Sequence, residues 1–271
     1  MRRLATTFNL SRSLFVVALA ITLLGASSAQ AGRCVGIFFR GFNAPVGTSG
    51  MDNLEAHLSG AFAGNPARPF STGVFNWTGQ QAAWDFLDTF NDVDCLVLAG
   101  HSFGANAAME FTTNYLDPAG FTVDVLVQFD SVGVNDDVLP ANVTLGINYH
   151  QISTGFFEPE GQATVVGSTN IQVEAEYGVS NSQITHTEID CPLFERSSSA
   201  YASLFGSQPD LFARVEGHVA PLFVIPALPS MGLPGGVLLL ASLFACAKRG
   251  RRRFSSIAAS REPLISHSTQ T

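Results

Sequence analysis

Leu96-Val97-Leu98-Ala99-Gly100-His101-Ser102-Phe103-Gly104-Ala105 is an apolar run that ends in the pattern G-x-S-x-G and opens onto a helix-like segment. Residues 94–99 form a short β-type run, and residues 103–116 carry apolar side chains at helical spacing and stop before Asp117-Pro118. Strand, sharp turn and helix are what a nucleophile elbow requires. A serine hydroxyl is a weak nucleophile at its free pKa, so the turn must present Ser102 where a histidine can take its proton. Glycines two residues to either side let strand and helix approach while the serine holds a strained backbone. Outside that context the same five residues would be a glycine-rich strand-to-helix turn with an incidental serine.

Working outward, residues 34–41 read as a buried first strand and residues 42–50 as the loop after it. A helix follows over residues 51–62, with Met51, Leu54, Leu58, Ala61 and Phe62 on one face. Residues 70–77 form a second strand, and residues 79–90 a helix with Ala82, Ala83, Phe86, Leu87 and Phe90 inward. Beyond the elbow helix come an apolar run over 121–129 ending at Asp130, runs over 143–152 and around 164–173, and a closing helix near 197–215. Strands alternating with helices predict an α/β fold, a three-layer sandwich with a mostly parallel sheet.

These residues resemble a small member of the α/β-hydrolase superfamily, the serine esterase and lipase type, over about Arg33 to Arg214. The resemblance rests on Gly100-His101-Ser102-Phe103-Gly104, then Phe129-Asp130-Ser131, then Thr185-His186-Thr187-Glu188-Ile189-Asp190, in the order serine, acid, histidine. It implies hydrolysis of a carboxylic ester through an acyl-serine intermediate, without a cofactor, on a lipid or surface-polymer ester. Thioester or amide cleavage would use the same constellation.

The acid belongs just past the C-terminal end of a strand after the nucleophile, and Asp130 stands there. Asp136 or Asp137 are the alternatives, and Asp130-Ser131 as a mere turn closure is a third. His186, in a polar loop before the last helix, is the expected base, whereas His150 and His218 read as core or flanking residues and His57 as surface. His101 is read as packing against or orienting the turn. One oxyanion donor is expected from the backbone of Phe103 and the second from Phe42, with Asn43 in reserve. The superfamily often has His-Gly where this chain has Arg40-Gly41. Phe38, Phe39, Phe42, Phe103, Phe156 and Phe157 are candidates to line an acyl groove. The competing reading is a non-catalytic surface or matrix protein on the same fold, and it requires Ser102 Oγ and the His186 ring to stand more than about 4.5 Å apart.

Both ends of the 271-residue chain are apolar. Arg2, Arg3 and Arg12 precede an apolar run over 14–24 and the small-x-small site Ala29-Gln30-Ala31, which reads as a signal peptide over 1–31 with the mature chain starting near Gly32. An uncleaved anchor would need a longer apolar core, about 20 residues. Residues 32–218 form the hydrolase-like domain. Residues 219–253 carry a proline-bearing motif, a hydrophobic segment and the cluster Lys248, Arg249, Arg251, Arg252 and Arg253; residues 254–271 read as a disordered tail. The order of these parts resembles the PEP-CTERM sorting tails of exported bacterial proteins, with Ile225-Pro226-Ala227 where that class has Pro-Glu-Pro. This implies retention at the membrane, processing by a sorting protease and delivery to the envelope or outside. A plain C-terminal anchor is the alternative reading.

Export makes cystine formation plausible for Cys34, Cys95 and Cys191, with Cys246 in the hydrophobic tail. Cys34 stands seven residues before Gly41 and Cys95 seven before Ser102, both at the start of their strands. Neighbouring parallel strands lie about 5 Å apart, so Cys34–Cys95 is the expected pair. A net charge of -8 and the lack of a basic stripe between residues 32 and 220 argue against nucleic acid as a partner. No Cys-x-x-Cys or His-x-x-x-His spacing points to a metal.

Overall fold

Strands covered on both faces are apolar at nearly every position, and that property of residues 34–39 and 95–99 sets the architecture. The computed structural model describes residues 32–42, 44, 46–47, 50–134, 136–152, 159–178, 184–186, 189–190 and 211–224. The expectations for both chain ends, Asn43, Phe156, Phe157, Cys191 and Cys246 lie outside the described residues. In chain order the elements are β1 (Arg33–Arg40), α1 (Gly50–Phe62), β2 (Phe70–Asn76), α2 (Gln80–Asp88), β3 (Val93–His101), α3 (Phe103–Phe111), β4 (Val123–Phe129), β5 (Val143–His150), β6 (Thr169–Gln172), α4 (Val173–Tyr177) and α5 (Leu211–Val219).

The strands form one parallel six-stranded sheet in the order β2-β1-β3-β4-β5-β6. Helices cover both faces, so the chain is a three-layer α/β sandwich. Period-two alternation divides the core. Cys34, Phe38, Val97, Ala99, Val127 and Ile147 pack under α1 and α5. Val35, Ile37, Phe39, Leu96 and Leu98 pack under α2 and α3 on the other face. Phe38 and Phe39 are therefore core residues of two opposite layers, each fully buried, and not part of a groove.

From β1 the chain crosses outward to β2, and from β3 it crosses the other way to β4. The strand order thus reverses between β1 and β3. A crevice opens at the carboxyl ends of strands at such a switch point, because the two following loops diverge.

Helix α3 does not stop before Asp117-Pro118. It continues through a π-helical turn, Thr112–Leu116, and a last turn, Asp117–Ala119. Pro118 lies in that last turn, and Gly120 closes it in the left-handed region at φ 78°, its N–H donating to the Asp117 carbonyl at 2.9 Å. The closing helix ends at Val219 rather than Val215, and the short 3-10 turn after it carries Phe223, which stacks on Phe62 at 4.1 Å. Packing thus extends past residue 218, because the apolar face of α5 and Phe223 are buried in the same core as α1. His57, expected at the surface, is half-buried against Phe212 and bonds Glu216 at 2.8 Å.

Cys34 and Cys95 are register partners on β1 and β3, 4.5 Å apart at Cα, and form a disulfide. The bond closes 61 residues, for which restriction of the unfolded chain contributes about 4 kcal/mol. Cys34→Ala/Cys95→Ala is expected to lose about that much stability in urea unfolding, and reduction of the wild type to reproduce the same midpoint.

Candidate active site

The carboxyl ends of the adjacent strands β3 and β4 each deliver one piece of chemistry. β3 ends at His101, and the chain turns at once into α3 through Ser102, whose φ of 57° and ψ of -128° lie outside the regions that L-residues favour. Close approach makes the flanking glycines necessary: a Cβ on Gly100 would stand 2.2 Å from the Gly104 carbonyl oxygen, and one on Gly104 would stand 2.1 Å from that of Phe39. The turn is held by the Ser102 N–H, which donates to the Phe129 carbonyl at 3.0 Å.

Asp130 follows β4 directly, itself in the left-handed region at φ 48°, which aspartate tolerates better than most residues. Its carboxylate is fully buried and accepts from four donors. Oδ1 takes the Gln151 N–H at 3.2 Å and the Gly161 N–H at 3.1 Å; Oδ2 takes the Gln151 amide at 3.0 Å and His186 Nδ1 at 2.5 Å. Gly161 can approach because it has no side chain, a Cβ there standing 2.2 Å from Oδ1. A buried charge is tolerable when it is paired and fully hydrogen-bonded in this way.

His186 completes the chain. Its Nε2 lies 2.8 Å from Ser102 Oγ, well inside the distance that the non-catalytic reading requires, while Nδ1 faces Asp130. Ser102 and His186 are each about 6% exposed, so the pair is nearly buried. The other titratable candidates are engaged elsewhere. Asp136 accepts the Ser131 hydroxyl at 2.5 Å, Asp137 is exposed, and Asp124 receives the Leu96 N–H at 2.9 Å while burial raises its pKa. Burial lowers the pKa of both His150 and His218, which favours their neutral forms. Glu174, fully buried where it accepts the Ile152 N–H at 3.0 Å, is pushed up chiefly by burial, with the Asp130 charge adding to the effect.

Phe103 is the first residue of α3, where backbone N–H groups have no carbonyl partner within the helix and the helix dipole favours negative charge. Phe42 follows β1. Arg40, at the end of that strand, is turned away from the crevice and grips Asp52 of α1 with two guanidinium nitrogens, Nε at 2.8 Å. The pair is largely shielded from solvent, its side chains 8% and 12% exposed.

No protein-family model and no curated protein matches the chain. Among solved structures it is similar to Est1E from Butyrivibrio proteoclasticus, with 15% identity and a TM-score of 0.29 over 37% of this chain and 41% of that one. It is also similar to a cutinase-like protein from Cryptococcus sp., with 20% identity and a TM-score of 0.27 over 39% of this chain and 57% of that one. The chain thus spans roughly half the length of each, and the fold assignment rests on the sheet order above.

Sequence reasoning passed over Gln151, Gly161 and Trp77. Gln151 and Gly161 come from different loops and carry no motif; only the demand of a buried carboxylate for donors connects them. Trp77 follows β2 at the same edge of the sheet. Its ring lies 5.4 Å from that of Phe103 and 6.4 Å from that of Phe42, and Phe42 and Phe103 are 6.2 Å apart. Three adjacent strands, β2, β1 and β3, each contribute one ring to this cluster beside Ser102. Phe42 is 60% exposed and Phe103 41%.

Proposed function

We propose that this protein is an exported serine hydrolase that cleaves carboxylic esters through an acyl-Ser102 intermediate. The observation that carries the reading is the unbroken hydrogen-bonded chain Ser102–His186–Asp130 on a strained turn. Ser102 Oγ adds to the ester carbonyl carbon as its proton passes to His186 Nε2, and the carbonyl oxygen becomes an alkoxide facing the Phe103 and Phe42 N–H groups. When the carbonyl re-forms, the bond to the alcohol oxygen breaks and the alcohol leaves with the proton from His186. Water then gives a proton to His186 and its hydroxyl to the acyl carbon; Ser102 departs with that proton and the acid is released. Asp130 holds the imidazole in the tautomer with Nδ1–H and stabilises the imidazolium that forms twice per turnover.

The aromatic cluster supports an apolar ester, a lipid or a surface polymer, as substrate. Exposed rings grouped at a reaction centre are best explained by the apolar chain they cover. Export and processing of the tail by a sorting protease at the membrane remain part of the reading, and the Cys34–Cys95 bond fits an oxidising compartment. The test is a series of p-nitrophenyl esters of rising chain length, with hydrolysis expected and preferring longer acyl groups. Trp77→Ala is expected to raise KM for the longest ester by about tenfold while acetate hydrolysis changes by less than about twofold. Equal effects on both esters would remove the rings from substrate binding.

A further inference from the structure

A triad built on a loop must fix that loop, and His186 lies in neither a helix nor a strand. Asp130 orients its ring, but a ring can keep one hydrogen bond while the backbone beneath it shifts. Held at the wrong distance from Ser102, the imidazole cannot take the proton.

His101 grips that backbone. Its Nε2 lies 2.8 Å from the carbonyl oxygen of His186, and its Nδ1 lies 3.2 Å from Oδ2 of Asp190. The imidazole and the Asp190 side chain are nearly buried, and the His101 and His186 rings are 4.8 Å apart. A carbonyl oxygen only accepts, so Nε2 carries a proton and donates it. Nδ1 then faces the Asp190 carboxylate at ion-pair distance. One side chain therefore holds the segment at two points four residues apart. Two further contacts anchor the described residues around them: Ile189 N–H donates to the Thr185 carbonyl at 3.1 Å, and Ile184 and Ile189 are buried.

We infer that His101 is a positioning residue of this site, stapling residues 186 and 190 so that the base is held on the nucleophile. The inference rests on the serine-hydrolase reading for its kinetic consequence but not for its structural one. Its position in the chain gives the staple its leverage: residue 101 holds the backbone of residue 186 while residue 102 meets its ring, so the nucleophile–base distance is set across one peptide bond. It also explains how two neighbouring histidines divide their tasks, because His101 Nε2 is committed to a carbonyl and cannot accept the serine proton.

The experiment compares His101→Gln, His101→Asn and His101→Ala in the full chain. A glutamine amide N–H reaches about as far as the imidazole Nε2, whereas an asparagine amide reaches only about as far as Nδ1. Asn and Ala are expected to lower kcat on p-nitrophenyl acetate by about 100-fold with KM within about twofold, as for a misplacement of about 1 Å. Gln is expected to recover to within about tenfold of wild type. In parallel, proton NMR follows the far-downfield resonance of the His186 Nδ1–H bonded to Asp130, assigned by its loss in His186→Ala. It should stay sharp in Gln and broaden in Asn. Identical behaviour of Gln and Asn overturns the inference, as does an Ala variant with wild-type kcat and an unchanged resonance. If Ala does not fold, the Gln and Asn pair decides. If the wild type hydrolyses no ester, the serine-hydrolase reading fails by itself, and the resonance still decides the staple.

Discussion

Ser102→Ala is expected to abolish covalent labelling by a fluorophosphonate probe and to lower kcat on p-nitrophenyl esters by about a million-fold. In the proposed mechanism the loss is that large because the hydroxyl is the group that bonds to carbon; without it, His186 and the amides proposed as donors can only assist water. Labelling of the alanine variant at the wild-type rate would place the nucleophile elsewhere. The same position carries a second, opposite effect. Ser102 is held at φ 57° for the sake of the elbow, and a non-glycine residue in such a conformation costs on the order of 1–3 kcal/mol. Ser102→Gly should be as inactive as Ser102→Ala yet more stable by about 1 kcal/mol in urea unfolding, since glycine adopts that backbone without strain. Activity and stability therefore move in opposite directions at one residue, as expected where strain serves the site.

Asp130→Asn is expected to lower kcat by about 10⁴-fold with little change in KM. The carboxylate accepts from Gln151 twice, from Gly161 and from His186, and all four partners are donors. An asparagine keeps one oxygen and turns an NH₂ group on the other pair. With the NH₂ toward His186, the ring must present its bare Nδ1, so its proton moves to Nε2 and the base can no longer accept from Ser102. With the NH₂ toward the Gln151 and Gly161 amides, two buried backbone donors lose their acceptor. Either outcome also removes buried charge-assisted bonds, so unfolding free energy should fall by about 2–3 kcal/mol. A kcat within about tenfold of wild type would show that another carboxylate holds the histidine, and Asp136 would be the first to substitute.

Much of this architecture is legible in the residues. The unbroken apolar runs 34–39 and 95–99 mark strands covered on both faces, without any knowledge of the partners. The equal offsets of Cys34 and Cys95 from Gly41 and Ser102 predict their pairing, because parallel strands that end at one edge start nearly level. The G-x-S-x-G run foretells its own turn, since both glycines are required by contacts within a few residues and with the adjacent strand. Phe38 and Phe39 show the limit of such reading. As part of a list of aromatic residues they were candidates for a groove, and only their position inside a doubly covered strand buries them. His57 is half-buried rather than at the surface for a related reason, as the helix that covers it, α5, lies some 150 residues further along the chain.

Local chemistry therefore determined the elements, the elbow, the cystine and the three residue types that a proton relay needs, because periodicity and motif spacing are properties of near neighbours. The residues put Asp130 and His186 first among several candidates; only the tertiary structure brought His186 to Ser102 and Asp130 to His186, gave Asp130 its donors from Gln151 and Gly161, and set His101 against the backbone of His186. Those contacts join strand ends and aperiodic loops whose separation in space is set by the order of strands in the sheet, and no repeat or spacing in the chain encodes it.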